Sequence, residues 1–171
     1  ADVPLGDYEA ALVCTPDEAK IELLTYLLGH GKHALVEKPL LAPDNAALER
    51  LAVLARERRA TCYTAYNHRF EPHIATLKTL LDAGTVGRVY LVRGFYGNGT
   101  ALDVKRSVWR DQGMGVLPDL GSHLLDMTLF LIGEPEGTFE PWSVNRFENQ
   151  AFDHVLFGTR TGGPIVELEA T

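Results

Sequence analysis

The feature that most constrains the fold is the alternation of short apolar runs with helical patterns over the first 66 residues. Residues 8–16, 33–36 and 61–66 are apolar runs of strand length, and residues 18–28 and 43–59 between them carry apolar side chains at helical spacing. Strands joined by helices in this order predict a parallel sheet, and nearly continuous apolar strands predict helices on both of its faces.

The pattern changes after Tyr66. Helices are predicted over residues 72–83 and 119–133, with a long strand over 88–97 and a polar loop between them. Residues 138–147, 152–160 and 165–170 alternate like antiparallel strands, and the last two flank a short turn that suits a hairpin. A βαβ portion followed by an α+β portion predicts two domains, residues 1–66 and 67–171.

Composition and charge narrow the class of protein. The formal net charge is −7, and the one basic run, "RERR" at residues 56–59, lies at a helix end, so nucleic acid is not expected as a partner. No apolar stretch reaches the ~20 residues of a membrane span. Cys14 and Cys62 lie in apolar strand-like runs, which predicts buried, reduced thiols in a cytoplasmic protein.

A nucleotide-binding glycine loop is expected in a βαβ protein but is not found. "GNGTAL" (97–102) and "GMGVLP" (113–118) begin G-x-G, yet neither continues with the third glycine and a helix. If the protein binds a nucleotide, we expect that loop to lie upstream of Ala1. The chain opens without methionine and ends inside a strand-like run, so both ends read as cut.

The segment "DLGSHLLD" places Asp119, His123 and Asp126 on one stripe of an otherwise apolar helix. Polar groups on a buried helix need partners or a polar cavity. The spacing alone fits a capping Asp119 with a hydrogen-bonded core histidine, a catalytic pair, or metal ligands, although no further zinc motif such as H-E-x-x-H is present.

Two other polar segments follow strands of the predicted parallel sheet. "EKP" places Lys38 before a proline, where the backbone is held extended and the Lys38–Pro39 bond can be cis. "YNHRFEP" (66–72) follows the next strand. Open α/β folds bind ligands at the carboxyl ends of their strands, so Lys38 is either a ligand contact or an exposed turn residue. Trp109 and Arg110 could line a pocket or cap the surface.

Taken together, "VCTP" (13–16), "GKHALVEKPL" (31–40), "YNHRFEP" and "GVLPDLGSHLLDM" (115–127) resemble the Gfo/Idh/MocA oxidoreductases, relatives of glucose–fructose oxidoreductase and inositol dehydrogenase. The motifs stand in family order and spacing over nearly the whole chain. The resemblance implies the C-terminal part of a Rossmann domain that binds NAD or NADP. A substrate-binding α+β domain follows, with a mainly antiparallel open sheet that often mediates dimer or tetramer contacts.

The resemblance also implies roles for particular residues. Catalytic roles fall on Lys38, Asp119 and His123. Cofactor contacts fall on Cys14, Thr15, Pro16, Glu37, Lys38, Pro39 and Asn67, and substrate contacts on Arg69, Trp109, Arg110, Asp119 and His123. No metal is expected. Met114 is a departure, because many members carry glycine there, and it puts the local backbone shape in doubt.

These residue types suit oxidation of a secondary hydroxyl of a sugar, cyclitol or sugar derivative. Histidine changes protonation near neutral pH, so His123 is the expected base, with Asp119 orienting the hydroxyl or the imidazole and Lys38 stabilising charge on the reacting oxygen. The alternatives are a non-catalytic dinucleotide-binding regulator, an NAD-dependent glycoside hydrolase and a metal-dependent hydrolase. The isolated chain is expected to bind nicotinamide cofactor poorly and to be inactive.

Overall fold

The chain forms two compact units that divide between Tyr66 and Asn67. The computed structural model describes residues 3–97, 99, 104–106, 111 and 113–171. The first unit opens with a 3-10 turn at Leu5–Asp7 and then alternates strands with helices. Its elements are β1 (Ala10–Val13), α1 (Asp17–Gly29), β2 (His33–Val36), α2 (Asn45–Glu57) and β3 (Cys62–Thr64).

The sheet of the first unit is parallel, in the order β1-β2-β3. One face packs on the helices, through a core that includes Val13, Leu24 and Val36. In the described part of this unit the helices lie on one face of the sheet, and Leu12 remains 73% exposed on the other face, where the pattern predicted a covering helix. Successive right-handed crossovers in one direction along a sheet place their helices on the same side, which explains the difference.

The helices of the first unit start with the expected chemistry. Asp44 caps α2, where its Oδ1 accepts a hydrogen bond of 2.7 Å from the backbone N–H of Ala47. Helix α1 follows Pro16 and carries Asp17 and Glu18 in its first turn, where negative charge is favoured by the helix dipole. Helix α1 therefore begins just after the carboxyl end of β1, and α2 begins after the loop that follows β2.

The described part of the second unit combines four helical segments with a four-stranded sheet. A 3-10 segment at Asn67–Phe70, here called the η segment, precedes α3. The elements are α3 (Pro72–Asp82), β4 (Leu91–Tyr96), a π-helical segment (Leu117–Gly121), α4 (Ser122–Ile132), β5 (Glu140–Asn145), β6 (His154–Thr159) and β7 (Ile165–Ala170).

The four strands lie in the order β4-β7-β6-β5. The pairs β5–β6 and β6–β7 are antiparallel and β4–β7 is parallel, so the predicted α/β fold with a mainly antiparallel second sheet is confirmed. One sheet face packs against α4 and the π-helical segment through Leu124, Phe157 and Leu168. Phe95 and Ile165 are exposed on the opposite face. Among the helices in the described ranges, none has the length and apolar character needed to cross a bilayer.

Candidate functional site

The carboxyl edge of the first sheet brings two of the predicted segments side by side. Cys14, Thr15 and Pro16 follow β1, and Glu37 follows β2, its neighbour in the sheet. The backbone N–H of Glu37 donates a hydrogen bond of 2.9 Å to the carbonyl of Val13, which ties the two strand ends together. The predicted cofactor-contacting residues of this unit therefore lie along one edge.

The polar groups at this edge fit the polar part of a nucleotide. Glu37 is exposed, and Lys38 and Pro39 are half-buried, with a cis bond between them. The Thr15 hydroxyl oxygen is buried and has no hydrogen-bond partner among the described residues. Because a buried hydroxyl without a partner is costly, a ligand group bound at this edge would be a natural partner for Thr15.

The two cysteines differ from each other, and the prediction that Cys14 is buried is wrong. Cys14 is exposed, because it follows the buried Val13 and so projects to the sheet face that the helices do not cover. Cys62, on β3, is half-buried, and burial raises the pKa of its thiol. The two thiols are not linked to each other.

One residue that contacts the "EKP" turn was not selected from the sequence. Lys20 of α1 is 2% exposed, and its Nζ donates to Asp17 Oδ1 at 2.6 Å and to the carbonyls of Glu37 and Pro39 at 2.8 Å each. Its signal in the sequence is its position, since it shares a helical stripe with the buried Leu24 and Leu28. A charge in such a stripe needs buried partners.

In the second unit, Asp119 and His123 fall on two kinds of helix. The spacing predicted one regular helix, but Asp119 lies in the π-helical segment and His123 in the first turn of α4. Asp119 is exposed, whereas His123 is 7% exposed. The wider π turn changes the spacing of side chains along the helix, and such turns occur frequently at functional sites.

The His123 ring packs against two other rings. Its centroid lies 4.6 Å from that of His68 and 5.9 Å from that of Tyr96. His68 donates from Nδ1 to the Glu71 carboxylate. That hydrogen bond is the largest cause of the lowered pKa of Glu71, and positive charge on His68 and His73 acts in the same direction, while partial burial opposes it. The sequence indicates that His68 is polar but does not indicate that its ring packs against that of His123.

Asp126 and Arg69 are partners of each other. Arg69 Nε donates to Asp126 Oδ2 at 2.7 Å, and Nη2 donates to the other oxygen, so the pair is bidentate. The Arg69 guanidinium also lies 5.3 Å from the Phe130 ring centroid. Asp126 is 7% exposed, and this pair ties the η segment to α4.

Three other predicted site residues are not brought into this cluster by a described contact. Asn67 is exposed at the start of the η segment. Trp109 and Arg110, predicted to contact substrate, lie outside the described residues. Within the described ranges, no group of three His, Cys, Asp or Glu side chains is arranged to hold a metal ion.

The turn before the π-helical segment is fixed by backbone contacts. Gly115 has φ +56°, and a Cβ there would lie 1.9 Å from the carbonyl oxygen of Phe152. The backbone N–H of Val116 donates to that same oxygen at 2.9 Å. Met114 is 53% exposed and has no positive φ, so the turn needs glycine beside it but not at Met114 itself.

Comparison with known proteins gives a family match for each unit. Residues 2–66 match the family described as "Oxidoreductase family, NAD-binding Rossmann fold". Residues 74–170 match the "GFO/IDH/MocA C-terminal domain". The two matches together cover nearly the whole chain, in the same order as the two structural units.

Individual relatives are similar over most of the chain. It is 29% identical over 133 residues to levoglucosan dehydrogenase from Pseudarthrobacter phenanthrenivorans, covering 75% of this chain and 34% of that protein. It is 28% identical over 139 residues to inositol 2-dehydrogenase from Rhizobium meliloti, covering 81% and 39%. The chain thus spans well under half the length of these curated relatives.

A solved structure has the same fold. The structure of levoglucosan dehydrogenase in complex with NADH and levoglucosan superposes with a TM-score of 0.82 at 25% identity. The match covers 95% of this chain and 47% of that one.

Proposed function

Because this chain belongs to the Gfo/Idh/MocA oxidoreductase family, through both its NAD-binding Rossmann part and its C-terminal domain, we propose that the whole protein is an NAD- or NADP-dependent oxidoreductase. Its substrate would be a secondary hydroxyl of a sugar, cyclitol or sugar derivative. The similar proteins named as dehydrogenases of levoglucosan and inositol support this substrate class.

The observation that carries the proposal is the environment of His123. The imidazole is 7% exposed, lies on the first turn of α4, and is bordered by the rings of His68 and Tyr96. These ring contacts limit the orientations open to the imidazole, and histidine is the side chain most often used to move protons in catalysis. We therefore assign His123 as the group that accepts the hydroxyl proton in oxidation and returns it in reduction.

Two other residues complete the proposed chemistry. Lys38, after β2, is assigned a hydrogen bond to the reacting oxygen, where its positive charge stabilises developing negative charge. Asp119, exposed in the π-helical segment, is assigned to orient the substrate hydroxyl or the imidazole. A bound nicotinamide would supply the hydride acceptor or donor. Cys14, Thr15, Pro16, Glu37, Pro39 and Asn67 are assigned to its binding, and Arg69, Trp109 and Arg110 to the substrate.

The test is steady-state kinetics on the full-length protein with a panel of sugars and cyclitols and with each nicotinamide cofactor. We expect His123→Ala to lower kcat by ~10²–10⁴, the usual effect of losing a general base. The matched control is His30→Ala, because His30 is exposed at the end of α1 and its Nδ1 forms a hydrogen bond within its own helix, with the carbonyl of Tyr26.

Two results would contradict the proposal. One is a kcat of His123→Ala within a few-fold of wild type under conditions where His30→Ala is also unaffected. The other is release of nitrophenol from nitrophenyl glycosides with no net reduction of cofactor, which would indicate a glycoside hydrolase instead. A full-length protein that binds dinucleotide but turns over none of the panel would favour a regulator.

The open face of the second sheet is proposed to be covered by a second copy of the chain. Leu91, Phe95 and Ile165 lie on that face and are 38%, 66% and 40% exposed. Apolar side chains grouped on a sheet face are typical of interaction surfaces. An Arg93–Glu167 ion pair lies among them at 2.7 Å, so the face combines apolar and charged groups as interfaces between subunits do.

A further inference from the structure

We propose that Lys20 is a positioning residue for the turn that carries Lys38. The inference rests on the proposed function, in which Lys38 contacts the reacting oxygen. Lys20 lies on α1 and is not assigned a contact with substrate or cofactor. Its effect on turnover would act through the backbone of the turn.

The contacts of Lys20 bracket Lys38 along the chain. Its ammonium group donates to the carbonyl of Glu37, the residue before Lys38, and to the carbonyl of Pro39, the residue after it, at 2.8 Å each. The third donor is taken by Asp17 Oδ1 at 2.6 Å. An ammonium group has three N–H donors, so these three acceptors account for all of them.

The burial of Lys20 distinguishes its contacts with the turn from those of a surface lysine. Lys20 is 2% exposed and occupies a core position of α1, on the stripe of Leu24 and Leu28, where an aliphatic side chain would ordinarily pack. A buried charge carries a desolvation penalty that good partners only offset, so an ammonium here is not needed for stability alone. What the charge adds is two bonds to the turn at the end of β2.

The consequence for Lys38 is a backbone held on both sides. The carbonyls of Glu37 and Pro39 are fixed by Lys20, and the N–H of Glu37 is fixed by the Val13 carbonyl at 2.9 Å. The Lys38 side chain therefore extends from a fixed point. A displacement of about 1 Å in a catalytic group can lower the rate by ~10², so loss of this support should act on kcat.

The test compares Lys20→Met with a matched control, Lys32→Met. Lys32 is a half-buried lysine of the first unit whose Nζ also donates to a backbone carbonyl, but that carbonyl belongs to Tyr8, at 2.7 Å, which lies outside the turn. In the full-length protein we expect Lys20→Met to lower kcat at least tenfold while KM for the sugar changes less than threefold. Lys32→Met should leave both within twofold.

A second readout is independent of activity. The chain is treated with limiting acetic anhydride well below its unfolding temperature, and acetylation of Lys38 is measured by mass spectrometry. Lys38 is half-buried, so releasing the turn should raise its acetylation at least threefold in Lys20→Met and not in Lys32→Met. If Lys20→Met does not fold, Lys20→Gln carries both measurements, because its neutral amide has only two N–H donors.

The outcomes separate this inference from the proposed function. Unchanged kcat and unchanged Lys38 acetylation in the Lys20 variant, with Lys38→Ala inactive, would overturn the positioning role alone. If Lys38→Ala is fully active, the proposed function fails, while the acetylation experiment still decides whether Lys20 holds the turn. An equal loss in Lys20→Met and Lys32→Met would indicate a general effect on folding and would also overturn the inference.

Discussion

The imidazole of His123 is held by other rings, and this limits how it can move. His68 packs against it nearly edge to face, at an interplanar angle of 67°, and His68 is itself held by Glu71. A ring bordered in this way has few rotamers available. The cluster uses one residue each from the η segment, β4 and α4, and the Glu71 carboxylate that precedes α3.

The two thiols should differ in reactivity. Burial raises the pKa of Cys62, so less of its thiolate is present at pH 8, and alkylation requires the thiolate. Cys14 is exposed. We expect iodoacetamide at pH 8 to modify Cys14 at least ~10-fold faster than Cys62, with the difference narrowing as the pH rises. Peptide mass spectrometry measures both rates in one sample.

Cys14→Ser and Cys62→Ser serve as controls for that experiment, since each leaves one thiol to be followed alone. Equal rates for the two thiols at pH 8 would contradict the prediction. In the full-length protein, protection of Cys14 by NAD or NADP would further support its assignment to the cofactor edge.

For single residues, the sequence indicates which side chains are polar but not which groups they form hydrogen bonds with. Motif position was enough to select Lys38, Asp119 and His123 as candidates. The Arg69–Asp126 pair joins residues 57 positions apart, and Lys20 reaches carbonyls 17 and 19 positions away. Backbone carbonyls have no side-chain signature in a sequence, so the partners of Lys20 could be found only in the structure.

Among the elements, the loop between β5 and β6 is organised by two carboxylates, those of Asp153 and Asp111. Asp153 accepts hydrogen bonds from the backbone N–H groups of Phe147, Glu148 and Asn149, at 2.8, 2.6 and 3.0 Å. Asp111 accepts from Gln150 and Ala151 in the same loop. The loop thus has its backbone donors satisfied by side chains rather than by a strand partner.

Asp153 should make stability depend on pH. Burial acts to raise its pKa, but the backbone donors outweigh burial and lower the pKa below the usual 3.8. A lowered folded-state pKa gives stability that is complete above the unfolded-state pKa and is lost as the pH falls through the folded-state value. We expect Asp153→Asn to lower the free energy of unfolding by roughly 2 kcal/mol at pH 7.

Urea unfolding from pH 7 down to pH 3 measures that effect, with Glu134→Gln as the control, since Glu134 is exposed in the same unit. The difference between wild type and Asp153→Asn should shrink below about pH 4. A difference that stays constant over the whole range would show that the charge of Asp153 plays no part.

The strands and α-helices followed the sequence pattern closely, whereas the 3-10 segment at Asn67–Phe70 and the π-helical segment were not predicted. Strand β2 and the start of α3 lie where the pattern put them. The π-helical segment at Leu117–Gly121 could not be read from apolar spacing, because a single wide turn shifts only a few positions. The π-helical segment depends on a tertiary contact, because the turn before it is held by the backbone of Phe152.

For the whole molecule, the open face of the second sheet leads to a prediction about assembly. Phe95→Lys places an unpaired charge on the proposed contact face and should convert an oligomer into a monomer, as measured by size-exclusion chromatography with light scattering. Phe147→Lys is the control, because Phe147 is 74% exposed but lies in the β5–β6 loop. A wild-type chain that is monomeric, or a Phe95 variant of unchanged mass, would contradict the proposal.

The alternation of strands and helices predicted the fold class well, because it reports which side chains prefer burial. It could not predict which sheet face stays uncovered. Leu12, Leu35 and Tyr63 are apolar or aromatic like the residues of a covered face, yet they are 73%, 40% and 40% exposed. The hydrophobicity of a side chain indicates that it tends to be buried, whereas the topology of the fold decides which element covers a sheet face.

The pairing of β4 bears on how the second unit folds as it is synthesised. In the described sheet β4 has β7 as its one strand neighbour, and the paired residues Arg93 and Glu167 are 74 positions apart. A ribosome-bound chain therefore exposes β4 as an unpaired strand until β7 has emerged. Contacts of such long sequence separation form slowly, and an unpaired strand can associate with other chains. Synthesis rate and chaperone access should therefore affect the yield of folded protein.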